Sequence, residues 1–278
     1  MVIYLEIDLS INPKETSIIL KDFIKTYVRN SGCKGVIVGL SGGIDSVVTA
    51  VLCKKILGKK NTHCIFLPDG ATPKTDIKDV DIILDKFDLN CEKINIDDYL
   101  KKINTMFIEK SNNLAFANVK ARLRMIIIYQ YANMTNNIVC GTSNKSEILI
   151  GYFTKYGDGG VDIMPIGDLY KTQVLELAKY LEIPKEIINK PPTAGLLKGQ
   201  TDEEELKISY KKLDIILFGL EKKIDILTIS KIAKVTVSEV KRIKNMRVKS
   251  QHKRRNPLIP KLGIRTSGLD WRSPIQIG

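Results

Sequence analysis

The sequence predicts an α/β fold, a doubly wound parallel sheet with a helical C-terminal extension. Three observations carry this. Short, continuous apolar runs alternate with segments of helical period, as in βαβ units with right-handed crossovers. Polar residues gather just after those runs, at Ser41–Ser46, Asp69, Asp97 and Thr142–Glu147, where open parallel sheets bind ligands. The chain of 278 residues is long enough to bury a sizeable core.

The elements follow in order. Ile18, Ile19, Phe23, Ile24 and Tyr27 recur at helical spacing and predict a helix over 14–30. Gly35–Leu40 reads as a buried strand, followed by a Ser-Gly-Gly turn and a helix from about Ser46 to Leu57. His63–Leu67 is a second strand and 75–87 a helix with Ile77, Val80, Ile83, Leu84 and Phe87 inward. Glu92–Ile96 is a third strand, 118–134 a long helix and Asn137–Cys140 a fourth strand. A Gly-rich loop over 151–168 leads into a helix at 171–181. Helical patterns then run over 203–220 and about 228–246. This gives one domain over 1–255, its part from about 203 to 250 helical, and a basic tail over 256–278.

Hydrophobic residues make 44% and charged residues 27%, which argues against disorder. No apolar run approaches the roughly 18–20 residues of a membrane span. The opening Met-Val-Ile-Tyr-Leu-Glu-Ile-Asp has no basic start and predicts no secretory signal. Cys33, Cys53, Cys64, Cys91 and Cys140 are odd in number, scattered and free of CxxC spacing, so reduced thiols in a cytoplasmic protein are expected. With only His63 and His252, Ser-His-Asp hydrolysis, a His-rich metal site and a Cys-His glutaminase are all disfavoured. The net charge of +13 is concentrated: residues 241–278 hold eleven of the 44 Lys and Arg but one of the 31 acids. Such a tail suits nucleic acid, a phosphorylated small ligand or plain solvation.

The most informative segment runs Gly39, Leu40, Ser41, Gly42, Gly43, Ile44, Asp45, Ser46, between a strand and a helix. Its glycines let backbone N–H groups approach an anion, and the helix N-terminus favours negative charge. Ser41 and Ser46 add hydroxyl donors. Asp45 would repel phosphate unless Mg²⁺ lies between them. Glu147, after the fourth strand, is placed to supply a second carboxylate to that metal. Thr142 lies where a hydroxyl reaches a nucleotide, although alone it reads as a helix cap. Lys155 and Lys171 flank the Gly-rich loop, expected to be a mobile lid over phosphates. Asp162 can accept from ribose hydroxyls.

No lysine follows the glycines, so this is not the GxxxxGK[ST] loop. It resembles the pyrophosphate-binding loop of the ATP pyrophosphatase (PP-loop) superfamily, of adenine-nucleotide alpha-hydrolase-like fold. Those enzymes cleave ATP between the α- and β-phosphates and transfer AMP to an oxygen. Further stretches resemble NAD synthetase: Asn118–Met125, Gly141–Glu147, Gly151–Asp158 with Asp162–Val174, and Lys190-Pro-Pro-Thr-Ala-Gly-Leu, followed by the basic segment Val248–Arg255. The resemblance implies ATP binding by the Gly39–Ser46 loop, Thr142, Lys171 and Thr193. It implies deamido-NAD binding by Arg122, Lys155, Asp162, His252 and Lys253, and Mg²⁺ on Asp45 and Glu147. Asp45, Lys171 and Asp162 are the expected catalytic residues. The implied activity is NAD synthesis from deamido-NAD, ATP and ammonia, through an acyl-adenylate, by a homodimer. Met125–Tyr129, apolar on nearly every face, suits either a buried helix or the dimer interface. Relatives that use glutamine carry an additional glutaminase domain, for which the match leaves too few residues here, so ammonia is expected to be used directly.

Two other readings stand beside this one. Another PP-loop activity, GMP synthetase-like or tRNA-modifying, shares the loop but not the 152–174 match. Ser230–Ile243 also reads like a helix-turn-helix for nucleic acid, but a helix pair completing the core explains the same pattern, so nucleic acid is not an expected partner.

Overall fold

The structure, a computed structural model, describes residues 7–106, 112–193 and 201–265. Asn12 starts α1 (Pro13–Ser31) by accepting from the Glu15 amide, and left-handed Gly32 ends it. β1 (Gly35–Gly39) pairs in parallel with β2 (Thr62–Phe66) on one side and β4 (Asn137–Cys140) on the other. β3 (Asn90–Lys93) adds beyond β2, so the order is β3-β2-β1-β4. A side chain at Gly35 would meet the Asn61 carbonyl oxygen at 2.1 Å, which is why only glycine starts β1.

Alternation along the strands builds two cores. Val36, Val38, Cys64, Phe66, Ile138 and Cys140 face α1, α2 (Ile44–Leu57), α3 (Lys74–Phe87) and α7 (Lys171–Tyr180). Ile37, Ile65, Leu67 and Val139 face α4 (Asp97–Thr105) and α5 (Asn113–Thr135). Helices on both faces of a parallel sheet make the fold doubly wound, as expected. The chain lays down β1, β2 and β3 in one direction, then returns to place β4 on the other flank of β1. The order reverses between β1 and β4, so the loops after these strands border one crevice.

A third core lies outside the sheet. It joins α6 (Lys145–Ile150) and Tyr170 to α9 (Asp202–Leu206), α10 (Tyr210–Glu221), α11 (Ile226–Ala233) and α12 (Val237–Lys249). Ile229, Ala233, Val240 and Ile243 are buried there, so the helix-turn-helix pattern serves packing.

Several expectations shift. β3 begins two residues earlier than predicted, and Asp97 opens α4 rather than ending a strand. The pattern over 203–220 is two helices separated by left-handed Lys207. Along Met125–Tyr129, expected to be either buried or a dimer interface, α5 is half-exposed in the single chain, and Ile126 is 58% exposed. Trp271 and the rest of the tail beyond Arg265 lie outside the described residues.

One buried ion pair ties the two halves of the second core. Asp69, just past β2, pairs with Lys120 Nζ at 2.7 Å and Arg124 at 3.5 Å, and the Asp69 carboxylate is almost completely buried. Arg124 also donates to the Leu67 carbonyl. Burial works against the Asp69 carboxylate, but Lys120 and Arg124 outweigh it and hold its pKa below the ordinary value. Its stabilising contribution is therefore full above the unfolded-state pKa of about 4 and is lost as pH falls through the folded value. Asp69→Asn leaves Lys120 buried without its counter-charge and is predicted to cost roughly 3–5 kcal/mol. Urea unfolding from pH 3 to 7 should show this loss near neutrality and a shallower decline on the acid side than in wild type.

Candidate active site

The turn from β1 into α2 is shaped for backbone exposure. Gly42 takes φ +82°, and a Cβ there would lie 3.0 Å from the Asp76 carbonyl oxygen. The loop holds itself: the Ser41 amide donates to Ser46 Oγ at 3.1 Å, Ser46 Oγ donates to the Gly43 carbonyl at 2.8 Å, and the Gly43 amide donates to Ser41 Oγ at 3.3 Å. Gly43 cannot cap α2 with a side chain, so the first-turn amides are left for an anion.

Beside this loop three helix starts converge. Asp45 lies in the first turn of α2, Glu147 at the third position of α6 and Lys171 at the first position of α7. The Lys171 side chain, 3% exposed, ion-pairs with Asp45 and lies 3.6 Å from Glu147 Oε1. Asn144 binds both acids: its Nδ2 donates to Asp45 Oδ1 at 3.0 Å, and its Oδ1 forms a capping box with Glu147. Tyr210 OH reaches Asp202 at 3.1 Å and Glu147 at 3.5 Å, and its ring lies under the Lys171 ammonium.

Charge balance sets the electrostatics. Burial, and then the neighbouring Asp45 charge, push the Glu147 carboxyl up to about 8. Burial disfavours the Lys171 ammonium, but Asp45 and Glu147 outweigh it and raise its pKa. Burial also raises Asp202. Lys171 is thus the buried cation of an acid cluster. Asn144, Asp202 and Tyr210 carry no individual sequence signal beyond the Asn-x-x-Glu spacing at 144–147.

A cleft of ≈ 300 Å³ opens beside the cluster, lined by Ile44, Lys171, Leu175, Pro191, Pro192, Thr201 and Tyr210 among others. Thr193 follows its Pro191-Pro192 wall, while Ala194–Gln200 lie outside the described residues. The phosphate loop, Lys171 and this wall therefore come together. Thr142 is half-buried at the end of β4, on the other rim of the crevice.

The remaining predicted residues form a second group around the Gly151–Gly160 turn. Arg122, exposed on α5, donates from Nε to the Lys155 carbonyl at 3.3 Å. Lys253 donates to the Gly151 and Phe153 carbonyls, both at 2.7 Å. His252 is its exposed neighbour. Asp162 accepts from Tyr129 OH at 2.9 Å and the Val139 amide at 2.7 Å, which fixes it on the edge of β4. The expected mobile lid is instead packed. Thr154 is buried and bonded to Asn118 and Asp158, and Ile163 and Ile166 enter the core.

The fold and this crevice are those of an α/β enzyme of the PP-loop kind, with uncapped loop amides at the start of α2 and no lysine in the glycine loop. The NAD synthase family model matches residues 17–257, and the chain belongs to that family. It is 48% identical over 205 residues to the NH(3)-dependent NAD(+) synthetase of Archaeoglobus fulgidus, covering 72% of this chain and 81% of that one. Among solved structures, the NMN synthetase of Francisella tularensis aligns with a TM-score of 0.81 at 34% identity, over 91% of this chain and 100% of that chain. The NH3-dependent NAD synthetase of Campylobacter jejuni aligns with a TM-score of 0.77 at 31% identity, over 90% and 100%.

Lys171→Met leaves Asp45 and Glu147 facing each other without their shared cation. Pyrophosphate release from ATP is predicted to fall by about 10²–10³-fold, measured by a coupled phosphate assay on protein whose circular dichroism matches wild type.

Proposed function

We infer that this enzyme makes NAD by amidating deamido-NAD with ammonia, with ATP converted to AMP and pyrophosphate. The observation that carries this reading is the Asp45–Lys171–Glu147 cluster on the phosphate loop of a chain whose family is NAD synthase.

The site's chemistry is mainly charge control. In the first step the deamido-NAD carboxylate attacks the α-phosphorus of ATP and pyrophosphate departs. In the second, ammonia attacks the acyl-adenylate and AMP departs. We assign the loop amides and Lys171 to the phosphates, with Thr142 and Thr193 on the nucleotide. The cations of Arg122, Lys155 and Lys253, with His252, are assigned to the diphosphate of deamido-NAD. Lys253 has three donors and gives two to carbonyls, so one remains. Asp162, exposed and steadied by Tyr129 and Val139, is assigned to the substrate's pyridine side and as acceptor of the ammonium proton.

Asp45 and Glu147 are the proposed Mg²⁺ ligands. Among the described residues no three His, Cys, Asp or Glu side chains form a metal cage. Mg²⁺ needs none: it takes one or two carboxylates with phosphates and water. Asp45 and Glu147 offer that pair of carboxylates beside the phosphate loop. When bound, the ion would neutralise phosphate charge as the substrate carboxylate approaches.

We also propose a homodimer through α5. Ile126, within the apolar Met125–Tyr129 run, is 58% exposed on it, and Leu114 and Met134 are more than half exposed nearer its two ends. The five free thiols suit a reducing cytoplasm. No described helix is long and apolar enough to cross a membrane.

The test supplies ATP, Mg²⁺ and ammonium with deamido-NAD or, in parallel, nicotinate mononucleotide. NAD should form only from the dinucleotide, with AMP and pyrophosphate one for one. Turnover confined to the mononucleotide would overturn the substrate and keep the chemistry. Asp45→Ala and Glu147→Ala should each lose at least about 10²-fold in kcat. Ile126→Asp should sediment as a monomer where wild type sediments as a dimer.

A further inference from the structure

Asp214 is a fully buried carboxylate on α10, outside the crevice and with no part in the chemistry above. Its Oδ1 accepts from Ser146 Oγ at 2.5 Å. Its Oδ2 accepts from the Thr172 amide and from Thr172 Oγ1, both at 2.9 Å. Ser146 Oγ in turn accepts the Lys171 amide at 2.9 Å. The first two N–H groups of α7 are thus satisfied by Ser146 and Asp214, two side chains from distant segments. Ser146 immediately precedes Glu147, and Thr172 immediately follows Lys171.

The grip repeats two turns further along the same face of α10. Glu221 pairs with Lys145 at 2.9 Å and accepts from Tyr170 OH at 2.8 Å. Lys145 and Tyr170 precede Ser146 and Lys171 by one residue each. One helix of the C-terminal extension therefore holds the starts of both α6 and α7 at two points.

We propose that Asp214 is a positioning residue for the adenylation step, fixing Lys171 and Glu147 relative to each other through Thr172 and Ser146. Glu221 assists from the outer end. The proposal rests on the reading that Lys171 and Glu147 act on ATP. A displacement near 1 Å in such a site costs about 10²-fold.

The test is a double-mutant cycle on single-turnover pyrophosphate release with ATP and deamido-NAD. Asp214→Asn keeps the shape but replaces one acceptor by a donor. It should lower the rate constant at saturation by about 10–100-fold and change the KM for deamido-NAD less than about twofold, since that substrate's residues lie elsewhere. In a Lys171→Met background the same change should cost less than about threefold, because the group it positions is gone. A full, additive loss in that background, or an unchanged rate in Asp214→Asn alone, overturns the proposal. Should Asp214→Asn fail to fold, Ser146→Ala enters the same cycle with the same two criteria. Full activity in Lys171→Met alone would instead sink the assignment of Lys171, a separable result.

Discussion

A lysine ammonium can be buried only where carboxylates replace its water, and this requirement organises the crevice. Lys171 is held by Asp45 and faces Glu147, and the three residues come from three different helices. Removing Asp45 would leave the ammonium only its 3.6 Å contact with Glu147, whereas removing the lysine would leave two acids in repulsion. The starts of α2, α6 and α7 must therefore meet at one point. The sheet order supplies that meeting point: α2 follows β1, α6 follows the β4 loop, and β1 and β4 are neighbours at the reversal. α7 is then pinned by Ser146 and Asp214.

The cluster gathers more acids than bases. Asp45, Glu147 and Asp202 all bear on a single ammonium, and burial, then the Asp45 charge, raises the Glu147 carboxyl to about 8. Carboxylates gathered beside a phosphate loop repel a bare polyanion. Loop amides, by contrast, are fixed dipoles that stabilise developing charge without reorganising. Acids and donor amides thus occupy adjacent sides of one turn.

Much of this was legible in local pattern. β1, β2 and β4 declared themselves as apolar runs bounded by glycine or polar residues, and the SGGIDS turn marked the phosphate loop. Errors fell where a long-range partner decides the outcome. Lys207 takes a left-handed conformation that divides one apparent helix into α9 and α10, and nothing in its own chemistry announces this. Asp97 read as the end of a strand because it follows an apolar run, yet it starts α4 and accepts the Gly70 amide from across the loop. Arg122 and Arg124, two residues apart on α5 and so on different faces, go one to solvent and one to Asp69. Asp214 was invisible, since an Asp within an amphipathic helix carries no mark of the two segments it joins.

The basic C-terminal part draws its meaning from the same geometry. Arg254 donates to the Ile148 and Leu149 carbonyls at 3.0 and 2.9 Å, and Lys253 to those of Gly151 and Phe153. The Ile148 and Leu149 carbonyls lie in the last turn of α6, and those of Gly151 and Phe153 just beyond it, where a cation is favoured. Gly151 permits the approach: its φ is +73°, and a Cβ would stand 2.2 Å from Ser250 Cβ. α6 is thus held at its start by Asn144 and Asp214 and at its end by Lys253 and Arg254. A six-residue helix has little stability of its own. That Glu147 sits in so short a helix, clamped at both ends by residues of the C-terminal extension, makes the extension part of the framework that holds the acid cluster and gives at least two of its cations an intramolecular role.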